Sequence, residues 1–236
     1  MIRDGVIETA AVAEVMRRLD RRHFARSVFE PGALRPKTEA YRDAPLPISA
    51  AATISAPHMH ARALELLAPV LKGKADAKAL DVGCGTGYLT VGLALLGHEA
   101  LGIENIQDLT DLSSFNFKHL EPSLKKEVEN RVKFKTADGW KGVPEAAPFD
   151  AIHVGAAART IPDALVHQLK RGGRMIIPVG APNAPQYFVQ VDKSLLDDTV
   201  QVTKLFGVRY VELVDKDNPG YSDDDPFIIK ESRPFF

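Results

Sequence analysis

The fold is indicated by one short stretch, Leu80-Asp81-Val82-Gly83-Cys84-Gly85-Thr86-Gly87-Tyr88. The apolar residues before the first glycine predict a buried strand, and the glycines predict a tight turn into a helix that ends near Leu96. Glycines at such a turn let the backbone approach a bound ligand, because no Cβ stands in the way. A dinucleotide-binding turn would carry its third glycine at position 88, which is a tyrosine. The stretch therefore predicts a ligand-binding strand, turn and helix that are not of the dinucleotide type.

Downstream of this turn, strand patterns and helix patterns alternate along the chain. Apolar runs predict strands at 79–82, 99–103, 132–137, 149–154 and 175–177, and amphipathic runs predict helices at 88–96, 106–118 and 162–169, the last ending at Gly172 and Gly173. Such alternation indicates parallel strands, which need helical crossovers. Segments 187–191 and 200–210 predict an antiparallel hairpin at one edge. The sequence therefore predicts a Rossmann-like α/β fold, with a mostly parallel sheet, an antiparallel edge and helices on both faces.

The region before the glycine turn predicts two helices joined by a loop. Thr9 can cap a helix whose apolar residues recur at helical spacing from Val12 to Leu19. Several prolines lie in residues 29–47 and predict an extended or looping connection without a regular helix. A second helix is expected near Ser55-Ala56-Pro57, where serine is a good cap and proline suits the first turn.

Composition and charge exclude several classes of protein. The 236 residues are 45% hydrophobic, and 30 Lys and Arg balance 31 Asp and Glu to give a net charge of −1. This balance provides no global field for nucleic acid or an anionic membrane. No segment approaches the roughly 20 apolar residues that span a bilayer, and the N-terminus has no secretory pattern. With Cys84 as the single cysteine, we expect a cytoplasmic protein without disulfides.

Two acidic residues are predicted to lie beside the glycine turn. The turn, with Asp81 just before it, has the spacing seen in S-adenosylmethionine (SAM) methyltransferases. Glu104 ends the second predicted strand, where a carboxylate can accept ribose hydroxyls. Asp138 ends the third, where it can contact the adenine edge together with the Gly139 backbone. Both acids fall at the carboxyl ends of strands, the edge at which open α/β sheets bind ligands.

At this point the sequence resembles the protein-L-isoaspartate(D-aspartate) O-methyltransferase family. The resemblance is carried by residues 52–60, 80–90, 149–157 and 172–180, and it extends over roughly residues 6–214. The glycine segment is shared by many methyltransferases, whereas the segment around Ser55 and His58 is particular to this family. The resemblance implies one SAM-dependent methyltransferase domain over residues 1–236, with an N-terminal extension at 1–50 and a divergent tail at 215–236.

The resemblance also implies the site residues. Ser55 would be the active-site hydroxyl. The remaining residues would border or hold the cofactor: Ala51, Ala52, Thr53, Ile54, His60, Asp81, Gly83, Gly85, Gly87, Glu104, Asn105, Asp138 and Gly139.

The implied reaction transfers a methyl group from SAM to the free carboxylate of L-isoaspartyl residues, and of D-aspartyl residues, in damaged proteins and peptides, which initiates repair. S-adenosyl-L-homocysteine would be the other product. We expect a monomer that acts on proteins and peptides, with neither nucleic acid nor membrane as a partner.

The chain departs from the family pattern in several places. The ribose acid is Glu104 rather than the commoner aspartate, and residues 30–42 resemble an insertion. Val214 stands where a threonine often lies. The tail from Asp215 onward, including Asp223 to Asp225, matches no pattern that we recognise. These departures bear on the contacts that the C-terminal segment would make.

The chemistry assigns Ser55 a positioning role. An isoaspartyl carboxylate, with a reference pKa near 3.9, is already ionised at neutral pH, so no general base is required. A serine hydroxyl can orient the attacking oxygen by donating one hydrogen bond; the alternative is a plain helix cap. His58 and His60 lie two residues apart on a segment expected to be extended, but no third ligand lies nearby in the sequence, so we predict no metal.

Three other functions remain open at this stage. The first is a SAM methyltransferase for nucleic-acid bases or a small metabolite, although His153-Val154-Gly155-Ala156 stands where base methylases carry Asn or Asp before Pro-Pro and an aromatic residue. The second is a non-catalytic SAM-binding module on the same fold, because a fold alone does not establish activity. The third, a pyridine-nucleotide dehydrogenase, is disfavoured by Tyr88.

Overall fold

The computed structural model describes residues 1–2, 4–181 and 184–214. Its strands are β1 Leu46–Pro47, β2 Thr53–Ile54, β3 Lys78–Val82, β4 Glu99–Glu104, β5 Val132–Thr136, β6 Phe149–Val154, β7 Leu169–Val179, β8 Gln186–Lys193 and β9 Val200–Val208. Its α-helices are α1 Ala10–Arg18, α2 Lys37–Ala40, α3 Pro57–Leu71, α4 Tyr88–Leu96, α5 Gln107–Lys118, α6 Pro122–Val128 and α7 Asp163–Gln168.

Seven strands form one sheet in the order β5-β4-β3-β6-β7-β8-β9. The pairings from β5 across to β7 are parallel, and β8 and β9 add antiparallel to the β7 edge. The predicted sheet and its antiparallel edge are therefore confirmed. The chain moves outward in one direction from β3 through β4 to β5, and in the other from β6 to β7. This reversal leaves a crevice between the carboxyl ends of β3 and β6, where open α/β sheets bind ligands.

The two faces of the sheet are covered by different sets of helices. Small residues, among them Ala79, Ala100 and Ala151, face the cluster built by α1, α3, α4, α5 and α6. Larger residues such as Leu80 and Ile152 face the cluster that includes α7. Because side chains alternate along a strand, β3 can contribute to both clusters. Almost every residue of α4 is buried, which explains the nearly continuous apolar character of that helix.

Helix α3, which follows β2, begins one residue later than it would if Ser55 were its N-cap. The predicted proline is the first residue of α3, but its N-cap is Ala56, and no side chain caps the helix. Ala56 has the extended conformation favoured before a proline. The capping role predicted for Ser55 is therefore wrong, and its hydroxyl is not used by the helix.

Four other details differ from the sequence-based predictions. The loop 29–47 contains the one-turn helix α2, which fits between Pro36 and Pro45. The last predicted helix ends at Gln168 rather than at the glycines, because Leu169 pairs with Phe149 and starts a strand that continues through Gly172 and Gly173. Helix α6 was not predicted. His58 and His60 lie on a helix rather than on an extended segment.

Three further expectations concern the C-terminal tail, membrane-spanning helices and the division into domains. The tail from Asp215, with its run of aspartates, lies outside the described residues. Among the residues that are described, no helix is long and apolar enough to cross a bilayer. The division of residues 1–236 into a single domain with an N-terminal extension stays a prediction.

Candidate active site

A cleft of about 210 Å³ opens at the carboxyl ends of β3, β4 and β6. The loop before β2 borders it on one side, and the chain segment after β9 borders it on the other. Eight of the predicted cofactor residues line this cleft: Ala51, Ala52, Thr53, Gly83, Gly85, Glu104, Asn105 and Gly139. The fold thus brings together residues from four separate segments of the chain.

The glycine turn lies against the neighbouring strand and opens toward the cleft. The backbone N–H groups of Gly83 and Cys84 donate to the Ile103 carbonyl at 2.8 and 3.0 Å. Gly83 has φ +71°, and a Cβ there would meet no atom closer than 3.8 Å. A Cβ would therefore be disfavoured here by the left-handed backbone rather than by crowding, and Gly83 lines the wall of the cleft.

Gly87, also predicted as a cofactor residue, lies at the start of α4. It does not line the cleft, and it is the N-cap residue of α4 with φ +86°. A Cβ at this position would lie 2.8 Å from the Phe134 ring. Close packing of the turn against Phe134, together with the left-handed backbone, accounts for a glycine here.

Glu104 presents a buried carboxylate at the end of β4. Its Oε2 accepts a hydrogen bond from the Gly85 N–H at 3.1 Å, and its Oε1 accepts from the N–H groups of Asn105 and Ile106 at 2.9 and 3.3 Å. Burial raises the pKa of Glu104, and these three hydrogen bonds oppose the rise. A carboxylate has about four acceptor positions, so about one remains for a ligand hydroxyl.

Asp138 and Gly139 lie in the turn after β5 and have different surroundings. The Asp138 carboxylate does not line the cleft; it accepts the Trp140 N–H at 2.9 Å and lies 3.7 Å from the Lys141 ammonium. Gly139 does line it, and Trp140 donates its indole N–H to the Leu213 carbonyl at 3.0 Å. The turn after β5 is therefore tied to the segment that covers the cleft.

Asp81 lies beneath the glycine turn, and both of its carboxylate oxygens are engaged. One accepts from His153 Nδ1 at 2.7 Å, and the other accepts from the Thr90 hydroxyl at 2.6 Å. All three side chains are buried. Since a carboxylate can only accept, His153 Nδ1 carries the proton. Asp81 therefore holds β3, α4 and β6 together below the site.

A small cavity of about 40 Å³ adjoins the cleft and shares its glycine-turn wall. Its lining includes Ile54, Ser55, His60, Asp81 and His153. His60 stacks on Tyr88 with ring centroids 4.6 Å apart, and its Nδ1 is 3.4 Å from an Arg21 guanidinium nitrogen. Burial and the Arg21 charge lower the pKa of His60 well below its usual value, so this imidazole stays neutral.

The two histidines of α3 do not face one another. His58 is partly exposed and pairs with Asp43, whose Oδ1 accepts from both the backbone N–H and Nδ1 of His58 at 3.0 and 2.9 Å. Within the described ranges, no group of three or more His, Cys, Asp or Glu side chains is placed to hold a metal ion.

Burial, with the nearby carboxylates, raises the pKa of Cys84 well above its usual value, so the thiol stays protonated.

Ser55 lies between the small cavity and a larger groove. The groove, of about 800 Å³, is open to the surface and bordered by α3 and by residues 206–211 at the end of β9. Ser55 lines both spaces, and Tyr210 lines the groove. Tyr210 and Arg21 were not identified in the sequence, since neither belongs to a recognisable motif.

Together, the sheet reversal, the glycine turn at the wall of the cleft and the buried acid at the end of β4 fit SAM, a ligand with a ribose but without a pyrophosphate. A crystal structure from Plasmodium falciparum, assigned as a protein-L-isoaspartate O-methyltransferase in complex with S-adenosyl-L-homocysteine, matches with a TM-score of 0.76. The match has 32% sequence identity and covers 90% of this chain and 94% of that chain. A second solved protein-L-isoaspartate O-methyltransferase shares the fold, with a TM-score of 0.73 and 23% identity over 91% of this chain and 63% of its own. The chain is a SAM-dependent methyltransferase.

Matches over nearly the whole chain identify the family within this class. A family model described as protein-L-isoaspartate(D-aspartate) O-methyltransferase matches residues 1–218. The protein-L-isoaspartate O-methyltransferase of Triticum aestivum is 45% identical over 215 residues, which are 90% of this chain and 87% of that protein. The protein of the same name from Caenorhabditis elegans is 43% identical, over 75% of this chain and 77% of its own. The chain belongs to the protein-L-isoaspartate(D-aspartate) O-methyltransferase family.

Proposed function

We propose that this chain methylates the free carboxylate of L-isoaspartyl residues, and of D-aspartyl residues, in damaged proteins and peptides, with SAM as the methyl donor. The observation that carries the proposal is the position of Ser55. Its hydroxyl is free of helix capping, and it stands where an open groove meets the cavity beside the glycine turn. A peptide carboxylate that enters along the groove would reach this hydroxyl.

The residues that would hold SAM are those that line the cleft and the small cavity. Glu104 and the Asn105 backbone would bind the ribose, and Gly139 would border the adenine. Gly83 and Gly85 would lie along the methionine part, with Ala51, Ala52, Thr53, Ile54 and His60 around it. Asp81, Gly87 and Asp138 would support these contacts through the hydrogen bonds and packing of the turns. When bound, SAM supplies a methyl group on a positively charged sulfonium, which an ionised carboxylate can attack.

The chain's own contribution to the reaction is positioning. The substrate carboxylate is ionised at neutral pH, and the neutral His60 is not needed as a base. The Ser55 hydroxyl donates to one carboxylate oxygen and directs the other toward the methyl donor. Orientation of this kind can contribute several kcal/mol to lowering the barrier.

The segment after β9 helps to exclude water from the cleft. The Ala157 N–H donates to the Val211 carbonyl at 2.7 Å, and the Leu213 N–H donates to the Ala157 carbonyl at 2.8 Å. These bonds hold residues 211–213 against the end of β6, where they line one wall of the cleft. Exclusion of water strengthens the hydrogen bonds that orient the carboxylate.

The experiment that tests the proposal compares two peptides. The protein is incubated with methyl-labelled SAM and a peptide that contains one isoaspartyl residue, beside the same peptide with ordinary aspartate. We expect base-labile label in the isoaspartyl peptide at a rate on the order of a hundredfold above the aspartyl peptide, because a misplacement of about 1 Å can cost that much. Equal labelling of both peptides, or labelling of neither, would contradict the proposal.

We further propose that the protein acts as a cytoplasmic monomer on protein substrates rather than on nucleic acid. The net charge of −1 and the single, buried Cys84 support this proposal. Sedimentation at micromolar concentration and a gel-shift assay with tRNA and duplex DNA would test it. A dimer, or a shift at physiological salt, would contradict it.

A further inference from the structure

Beyond the proposed function, and resting on it, we propose that Arg21 is a positioning residue that fixes the proton of His60 on Nε2, so that this N–H donates to the carboxylate of the methionine part of SAM. Arg21 begins a short 3₁₀-helix, Arg21–His23, and it lines neither the cleft, the small cavity nor the groove. His60, in the first turn of α3, does line the small cavity. Arg21 would therefore act on the cofactor site only through the imidazole that it contacts.

The guanidinium of Arg21 is buried, and not all of its nitrogen atoms have partners. Its Nε donates to the Ala40 carbonyl at 2.8 Å, and its Nη1 is 3.4 Å from His60 Nδ1. Its Nη2 is buried without a hydrogen-bond partner in the described part of the chain. Burial lowers the pKa of Arg21 to about 10, so the group keeps its charge at neutral pH. Neither hydrogen bond is to a carboxylate, so burying this charge is costly and indicates a role other than stability.

The contact with Arg21 decides which nitrogen of His60 carries the proton. A guanidinium has only N–H groups to offer, so His60 Nδ1 accepts. Because the imidazole is neutral, its single proton is then on Nε2. Among the described residues, none forms a hydrogen bond with that nitrogen, which leaves the Nε2–H for the cavity that His60 lines.

The plane of the imidazole is held by the same part of the fold. The His60 ring stacks on Tyr88 with centroids 4.6 Å apart, and Tyr88 packs edge-to-face with Phe24, with centroids 5.3 Å apart and an interplanar angle of 88°. Phe24 directly follows the 3₁₀-helix that begins at Arg21, and both Phe24 and Tyr88 are buried. One short segment thus supplies the guanidinium that bonds to Nδ1 and the ring that supports the stack.

The position of the proton decides whether His60 attracts or repels a carboxylate. With the proton on Nε2, the imidazole donates a hydrogen bond to a carboxylate oxygen, which has only lone pairs to offer. With the proton on Nδ1, the lone pair of Nε2 would face those of the carboxylate, and no hydrogen bond would form. Arg21 disfavours this second arrangement, because its own N–H would then face the N–H of Nδ1. The proposed function places the methionine part of SAM beside His60, and the carboxylate of that part is the acceptor that fits.

The first test uses two ligands that differ in the amino-acid part. S-adenosyl-L-homocysteine carries it, whereas 5′-methylthioadenosine has the same nucleoside and a thioether without it. For Arg21→Met we expect the affinity for S-adenosyl-L-homocysteine, measured by isothermal titration calorimetry, to fall by roughly two- to tenfold, the effect of losing one hydrogen bond. The affinity for 5′-methylthioadenosine should change by less than twofold. An equal loss for both ligands, or no loss for either, would overturn the proposal.

The matched control is Arg26→Met. Arg26 is also buried and donates to two backbone carbonyls, those of His23 and Pro31, but it lines none of the three spaces. Its replacement should cost stability without changing the affinity for either ligand.

A double variant asks whether Arg21 acts through His60. His60→Ala alone should weaken the binding of S-adenosyl-L-homocysteine, and adding Arg21→Met to it should cause little further loss, because the imidazole that Arg21 positions is already gone. Independent effects that multiply in the double variant would contradict the proposal and assign Arg21 a structural role.

The tautomer itself is measured on the unmodified protein, so the proposal does not depend on the folding of a variant. Nitrogen-15 NMR of protein labelled at histidine distinguishes a protonated ring nitrogen from a bare one, and His60→Ala assigns the signals. At neutral pH we expect a neutral His60 with its proton on Nε2. A proton on Nδ1, or a ring protonated at both nitrogens, would refute the proposal. Failure of the proposed function would look different, since the protein would then show this tautomer and the same ligand affinities without methylating the isoaspartyl peptide.

Discussion

Glu104 illustrates how a single side chain can stabilise local backbone structure and also line the cleft. Its carboxylate accepts hydrogen bonds from three backbone N–H groups, one in the glycine turn and two just before α5. It also lines the wall of the cleft. An aspartate, one methylene shorter, would have to move toward these N–H groups to keep the same bonds. The longer glutamate reaches them from the end of β4.

We predict that Glu104→Ala weakens the binding of S-adenosyl-L-homocysteine by roughly tenfold to somewhat over a hundredfold. This range corresponds to the loss of a hydrogen bond to a charged group, about 1.5–3 kcal/mol. Isothermal titration calorimetry measures the effect, and Glu99→Ala at the other end of β4 is the control. A folded Glu104→Ala variant with unchanged affinity would remove Glu104 from the ligand site.

At the scale of the element, the glycine turn combines two separate requirements. Gly83 lines the cleft, whereas Gly87 leaves space for the Phe134 ring. Gly87 also starts α4 with a left-handed backbone, which a residue with a Cβ adopts at a cost of about 1–2 kcal/mol. One turn therefore lines the cleft with its first glycine and packs against Phe134 with its last.

We predict that Gly87→Ala lowers the free energy of unfolding by clearly more than Gly73→Ala. Both glycines have a similar positive φ, +86° and +81°, but a Cβ at Gly73 would meet nothing within 4 Å. Gly73→Ala should cost about 1–2 kcal/mol from the backbone alone. The additional loss of unfolding free energy in Gly87→Ala reports the contact with Phe134. Urea unfolding measures the free energy of unfolding of both variants. Equal losses in the two variants would mean that Phe134 moves aside without cost.

At the scale of the whole molecule, the antiparallel return of the sheet brings the end of the described chain back to the cleft and the groove. β7 ends at the ligand edge, β8 leaves it, and β9 returns to it with Gln186 opposite Val208. Residues 209–214 therefore lie over the cleft and along the groove. The return of β9 thus provides one wall of the cleft and one wall of the groove that Ser55 also lines.

We predict that the rate of isoaspartyl methylation changes by less than about twofold between pH 6 and pH 8. Burial holds the pKa of His60 well below 6.5 and raises that of Tyr210 to about 12, so both stay neutral across this window. The substrate carboxylate, with a reference pKa near 3.9, stays ionised. Below pH 6, affinity for S-adenosyl-L-homocysteine should fall as Glu104, whose pKa is raised above 4.5, becomes protonated. A pH–rate profile with a midpoint near 7 would contradict this and indicate a histidine acting as a base.

The sequence by itself determined the features that depend on local periodicity and local backbone chemistry. Helix α4 and strand β6 begin and end where their patterns predict, because an apolar run bounded by glycine or proline is read within one element. The acids after β4 and β5 were also found in this way, since a residue at a strand end is known once the strand is known. The same reasoning failed at Ser55, where Pro57 fixed the helix start and left Ala56 as the N-cap.

Only the tertiary structure decided which of these residues meet. Asp81 and His153 are 72 residues apart, and they bond because β3 and β6 are neighbours in register. Tyr210 and Ser55 line the same groove because β9 returns to the ligand edge. A sequence pattern reports which face of its own strand a residue occupies, but the order and register of the strands depend on the packing of the whole sheet. For that reason the sequence indicated the cofactor cleft, while the hydrogen-bonded supports beneath and beside it emerged only from the assembled fold.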